Sequence, residues 1–114
     1  MGREWLGEFE QMVLLACLRL GEGAYTMAVV HEIESITGRE ASHAAVYVAL
    51  RRLEKKGMVD SELGEATPER GGRPKRFFRV LPAAMEPLRE SRDALLGLWS
   101  GLPETLGEGA GGGG

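Results

Sequence analysis

The segment PERGGRPKRFFRV, Pro68 to Val80, places Arg70, Arg73, Lys75, Arg76 and Arg79 around a Gly71-Gly72 pair and beside two phenylalanines. Guanidinium and ammonium groups at that density bind oxyanions: arginine offers a rigid fork of donors, lysine a compact point charge. A second basic set lies upstream in HAAVYVALRRLEKK, His43 to Lys56. Residues 39–80 hold ten Lys/Arg against six Asp/Glu, a local +4 in a chain of net charge −3. A basic middle between acidic flanks is the footprint of an anionic partner that the total conceals.

Other chemistries are poorly supplied. The sequence offers no phosphate-binding loop, no metal-ligand cluster and no nucleophile–base grouping, and His31 and His43 fall in separate elements. Neither an enzyme nor a metal or cofactor site is expected. Cys17, the only cysteine, sits inside the apolar run MVLLACL and reads as a small buried hydrophobe. A lone cysteine excludes an intrachain disulfide and fits a reducing cytoplasm. The same run is too short to cross a bilayer, and the polar start MGREWLGEFEQ carries no secretion signal. A cytoplasmic protein with no membrane partner is therefore expected.

The cations need elements to hold them. Phe9, Met12, Val13, Ala16, Cys17 and Leu20 recur at three- and four-residue steps, so Gly7 to Leu20 reads as a helix stopped by Gly21 and Gly23. Thr26 suits the cap of a second helix to Thr37, with Val29, Val30, Ile33 and Ile36 inward and Gly38 as its stop. Ser42 caps a third helix, His43 to Lys56. The period then changes to two: Val59, Ser61 and Leu63 share the buried face of a strand, TPERGG turns, and Phe77 to Val80 returns. Phe78 and Val80 share one face of that strand and Phe77 and Arg79 the other; the pattern does not choose which aromatic meets the core. A last helix runs from about Ala83 to Leu102, with Pro82 in its first turn and Pro87 near its start. The expected fold is mostly α with a small β-hairpin. It comprises a winged helix-turn-helix domain over residues 1–81, a C-terminal dimerisation helix over 82–103 and a disordered Gly-rich tail over 104–114.

On the wheel of the third helix, Val46, Ala49, Leu50 and Leu53 gather on one side. Ala44, Val48, Arg51 and Lys55 gather on the other, flanked by His43 and Tyr47. Small residues near the N-terminus with cations further along suit a helix whose first turns approach base edges while Arg and Lys meet phosphates. Ser42 and the helix N-terminus can donate to phosphate as well. The outward Val48 matches a thymine methyl. Tyr47 suits the core edge or the duplex, and the two roles are compatible. Phenylalanines anchor the returning strand, Gly71 and Gly72 let the tip turn, and Arg73, Lys75 and Arg76 project from it toward a neighbouring groove or backbone.

Met85, Leu88, Leu95, Trp99 and Leu102 form an apolar stripe on the last helix, with Arg92 at one position of the series. A terminal helix of a small domain has little core of its own to cover, so a second copy of the chain is the expected partner. Folding back on its own domain is the alternative.

The run LGEFEQMVLLACLRLGEGAYTMAVVHEIESITGREASHAAVYVALRRLEKKGMV, followed by LGEATPERGGRPKRFFRVLPAAMEPL, resembles the PadR family of bacterial transcriptional regulators over about Leu6 to Leu88. The most specific parts are Tyr47, Leu50, Arg52-Leu53-Glu54, Lys56-Gly57 and Val59, then ERGGR and FFRV. The resemblance implies a homodimer on a double-stranded DNA operator, usually repressing, with the last helix of each chain against its partner. It assigns DNA contacts to Ser42, His43, Ala44, Tyr47 and Arg51 in the helix and to Arg73, Lys75 and Arg76 in the wing; the stripe of the last helix supplies Leu88, Leu95, Trp99 and Leu102 for the dimer seam. It further implies a small aromatic effector near the seam, for which Trp99 offers the stacking surface. One departure is that VLPAAM has Leu81 and Ala84 where the family commonly has Thr and then Gly. The rival reading is a winged helix serving only as a protein-interaction module.

Overall fold

The structure, a computed structural model, describes residues 5–65 and 73–103. Arg70, the Gly71-Gly72 turn and the tail from 104 onward lie outside the described residues. Helix α1 spans Glu8–Leu20, α2 Thr26–Thr37, α3 His43–Lys55, and α4 Met85–Trp99; strands β1, Val59–Leu63, and β2, Arg76–Val80, form the hairpin.

Local chemistry sets the boundaries. Glu10 reaches back to accept from the Gly7 N–H at 3.3 Å and caps α1. Gly21 ends α1 at φ 63°, a conformation a side chain would resist. Ser42 caps α3 by accepting from the Ala45 N–H at 3.0 Å, as its sequence position predicts. Thr26, by contrast, is not a cap. It is the first residue of α2, and Tyr25 is the cap, because Tyr25 is held extended by a β-bridge to Phe77. Pro82 opens a 3₁₀ turn, Pro82–Ala84, that leads into α4. Pro87 lies in the first turn of α4, where its missing N–H is not needed. The helix ends at Trp99, leaving Leu102 in the turn beyond it.

The three N-terminal helices enclose one core. Val13, Leu14, Val29, Val46, Leu50 and Leu53 are fully buried, and Val59 and Phe78 close it from the hairpin. Burial of each such side chain contributes about 1.5–3 kcal/mol. The core takes Cys17 as expected; burial pushes its thiol up to about 12, so it is inert as a nucleophile. The hairpin is antiparallel with Val59 opposite Val80 and Ser61 opposite Phe78. β2 also touches the chain before α2, where the Phe78 N–H donates to the Ala24 carbonyl at 2.8 Å.

Three inward assignments, Ile36, Ser61 and Leu63, and one seam assignment, Leu88, differ from the sequence pattern. Ile36 is exposed, because α2 runs a turn past the core. Of Val59, Ser61 and Leu63 only Val59 is buried: the hairpin leaves the helices as it extends, so Ser61 is half-buried and Leu63 exposed. Leu88 belongs to the chain's own core at 5% exposure, not to a seam with a second chain. The α4 stripe has two halves: Leu88 and Ser91 are buried, and every described residue from Arg92 onward is exposed.

Candidate nucleic-acid interface

The outward face of α3 is open. Ser42, His43, Ala44, Ala45, Tyr47, Val48, Arg51, Arg52 and Lys55 are all exposed, while Val46, Ala49, Leu50 and Leu53 fix the helix from beneath. The capped N-terminus of α3 therefore presents small side chains and free backbone donors, with cations two turns further on. Tyr47 takes the core-edge place that the sequence allows it. Its ring stands edge-on to Phe78 with centroids 6.5 Å apart, and its hydroxyl, at the exposed rim, accepts from Arg51 Nη1 at 3.4 Å.

The aromatic pair divides its labour. Phe78 enters the core at 2% exposure, and Phe77 packs edge-on against Tyr25 at 5.7 Å. This fixes the direction of each cation, since strand neighbours point to opposite faces. Arg76, on the Phe78 face, turns toward α3 and donates to Ser61 Oγ at 3.0 Å. Lys75 lies on the other face, its ammonium 3.6 Å from the centre of the Tyr25 ring. Of the three wing cations assigned to DNA, Arg73 is exposed and Lys75 and Arg76 are half-buried, so the latter two do not stand out freely as the sequence suggests. Arg79 is exposed but paired with Asp60, to which it donates at 2.7 and 3.1 Å; that hydrogen bonding and the Asp60 charge raise its pKa.

Among the described residues, Arg52 and Lys55 have no carboxylate partner, whereas Arg51 lies 3.4 Å from Glu54. Arg52 borders a shallow groove with Val48 and Phe9 of α1. The sequence pattern does not single out Arg52, which the structure leaves exposed on α3. It also missed Glu54 and Ser61, which no basic-patch argument would pick out. Among the described residues no group of His, Cys, Asp and Glu could hold a metal ion, and no helix is long and apolar enough to cross a membrane.

Residues 14–90 match the sequence model of the transcriptional regulator PadR-like family, more than half of the chain. The structure is similar to that of a PadR family transcriptional regulator from Eggerthella lenta DSM 2243, with a TM-score of 0.65, 27% identity, and coverage of 87% of this chain and 86% of that one. A transcriptional regulator from Clostridium thermocellum is similar at a TM-score of 0.64 and 20% identity, over 75% of this chain and 80% of that one. F93 from STIV, a winged-helix DNA-binding protein, is similar in fold at a TM-score of 0.61 and 13% identity, over 81% of this chain and 91% of that one. No curated protein sequence matches. Three helices, a wing and a trailing helix thus carry the sequence pattern of a family of transcription regulators, not of enzymes, and the chain belongs to the PadR-like family of transcriptional regulators.

Proposed function

We propose that the chain is a sequence-specific DNA-binding repressor that acts in the cytoplasm as a homodimer on an operator. The observation that carries this reading is the contact between Tyr47 and Phe78, which makes the outer face of α3 and the wing strand parts of one rigid unit. In that unit α3 enters the major groove. Ala44 and His43 approach base edges, Ser42 and the helix N-terminus meet a phosphate, and Tyr47 and Arg51 follow along the backbone. Arg73 and Arg76 serve the flanking backbone, and Lys75 joins them by leaving the Tyr25 ring. Occupying the operator is sufficient to repress, since binding alone occludes it.

The homodimer is supported by α4. Leu95, Leu96, Leu98, Trp99 and Leu102 are exposed together beyond the domain, an apolar surface of the kind that marks an interface. Trp99, 70% exposed, then becomes one wall of the seam and the surface on which a small planar aromatic effector stacks. In a Trp5→Phe background, titration with planar aromatic compounds should quench or shift Trp99 emission; unchanged emission across the series removes the effector.

The interaction-module reading draws on the chain's own groups that engage these cations: Arg51 is paired with Glu54, and Arg76 is hydrogen-bonded to Ser61. Salt dependence separates the two. Arg51→Ala with Arg73→Ala should lower the slope of log K against log salt for duplex binding by about two units. The thermal midpoint should barely move, because exposed ion pairs contribute at most about 1 kcal/mol. An unchanged slope defeats the assignment of these residues. Equal affinity for selected and unrelated duplexes defeats sequence specificity.

A further inference from the structure

Glu54 is the one acidic residue of α3. Its side chain lies where α3 meets β1 and is 28% exposed. Oε2 accepts the Ser61 hydroxyl at 2.7 Å. Oε1 is shut off from solvent without a hydrogen bond among the described residues, and it lies 3.4 Å from Arg51 Nε. The separation suits Coulombic attraction, but the angles do not make a hydrogen bond. From the other side, Arg76 Nη1 donates to the same Ser61 oxygen at 3.0 Å.

The direction of this relay is forced. An ionised carboxylate only accepts and an arginine only donates, so the single Ser61 proton goes to Glu54 and a Ser61 lone pair faces Arg76. One carboxylate is thereby linked to a cation on α3 and, through a hydroxyl, to a cation on β2. A seam that needed only packing would accept an apolar residue here at no loss, since half-buried charge carries a desolvation penalty. The carboxylate instead faces Arg51 directly and Arg76 through Ser61, two of the residues assigned to DNA.

We propose that Glu54 is a positioning residue of the DNA interface, holding Arg76 of the wing, through Ser61, in fixed relation to Arg51 of α3. The two cations then meet the duplex as a pair. The inference rests on the DNA-binding reading above and adds a polar coupling between helix and wing to the apolar one made by Tyr47 and Phe78.

A double-mutant cycle tests it. Duplex affinity is measured for the wild-type chain, Arg51→Ala, Arg76→Ala and the double variant, then again with Ser61→Ala, which removes no charge. The two arginine substitutions should be non-additive by about threefold or more. The coupling should vanish with Ser61→Ala and return with Ser61→Thr, which restores the hydroxyl. Additive effects in the wild type, or coupling that survives Ser61→Ala, overturn the proposal. Glu54→Gln replaces Ser61→Ala if the latter does not fold, and should abolish the coupling likewise.

A second arm needs no DNA: in the free protein, Ser61→Ala should shift the Arg51 Nε–H resonance through Glu54. An unmoved resonance overturns the relay even if the duplex binds tightly. A wild-type chain that binds no duplex at low salt removes the reading beneath the proposal, and the proposal with it, whatever that resonance does.

Discussion

Phe78→Ala is expected to destabilise the protein by about 3–5 kcal/mol, a large fraction of the stability of a domain this size. Phe78 is 2% exposed and is the largest of the fully buried side chains. It faces Ser61 across the hairpin, and its N–H donates away from β1 to the Ala24 carbonyl before α2. The ring also supports Tyr47 from below. Truncation therefore leaves a cavity where hairpin, α3 and the α1–α2 connection meet, and that site cannot collapse without moving the wing. Urea denaturation should show the loss as a lower midpoint with the slope retained. Phe77→Ala is the control: Phe77 is half-buried on Tyr25, and its loss should be clearly smaller. Equal losses would mean that the wing is anchored through Tyr25 rather than through the core.

That asymmetry between adjacent phenylalanines shows what a sequence can and cannot convey. Helix α3 is legible because its signals agree: Ser42 at the cap, four apolar residues on one side, and Gly57 after the end. The hairpin is legible as an element for the same reason, a change of period followed by turn residues. Which phenylalanine enters the core is not legible, since neighbouring residues of identical type carry no phase. Tertiary contact decides it, through the bridge that fixes Tyr25 opposite Phe77.

The cations of the wing follow the same logic. Composition reveals that they cluster, but their directions depend on the strand phase, which sends Lys75 to Tyr25 and Arg76 to Ser61. The Leu88 assignment fails for a different reason. A helical stripe records that a face is apolar, not which body covers it, and on α4 the chain's own core covers the first half. Leu63 and Ile36 fail likewise, because periodicity continues past the point where the core stops.

The division of the α4 stripe also makes the dimer testable at a residue the monomer does not need. Leu95 is two turns beyond Leu88 on the same face, yet it is 55% exposed. From Ser91 to the end of the helix the axis advances about 12 Å, at about 1.5 Å per residue, and no described residue after Ser91 is buried. Leu95→Glu should therefore leave the folded monomer intact by circular dichroism and place a carboxylate in the proposed seam. Light scattering should report monomers where the wild type gives dimers. Operator affinity should fall by about a hundredfold or more even though no DNA-contacting residue has changed, because two half-sites are no longer held at high effective concentration. Leu88→Glu makes the contrast: it buries a charge in the monomer core and should unfold the chain rather than split a dimer. A Leu95→Glu chain that remains dimeric would place the seam elsewhere, with Trp5 and the exposed Leu15 and Leu18 of α1 as the next apolar surface to substitute.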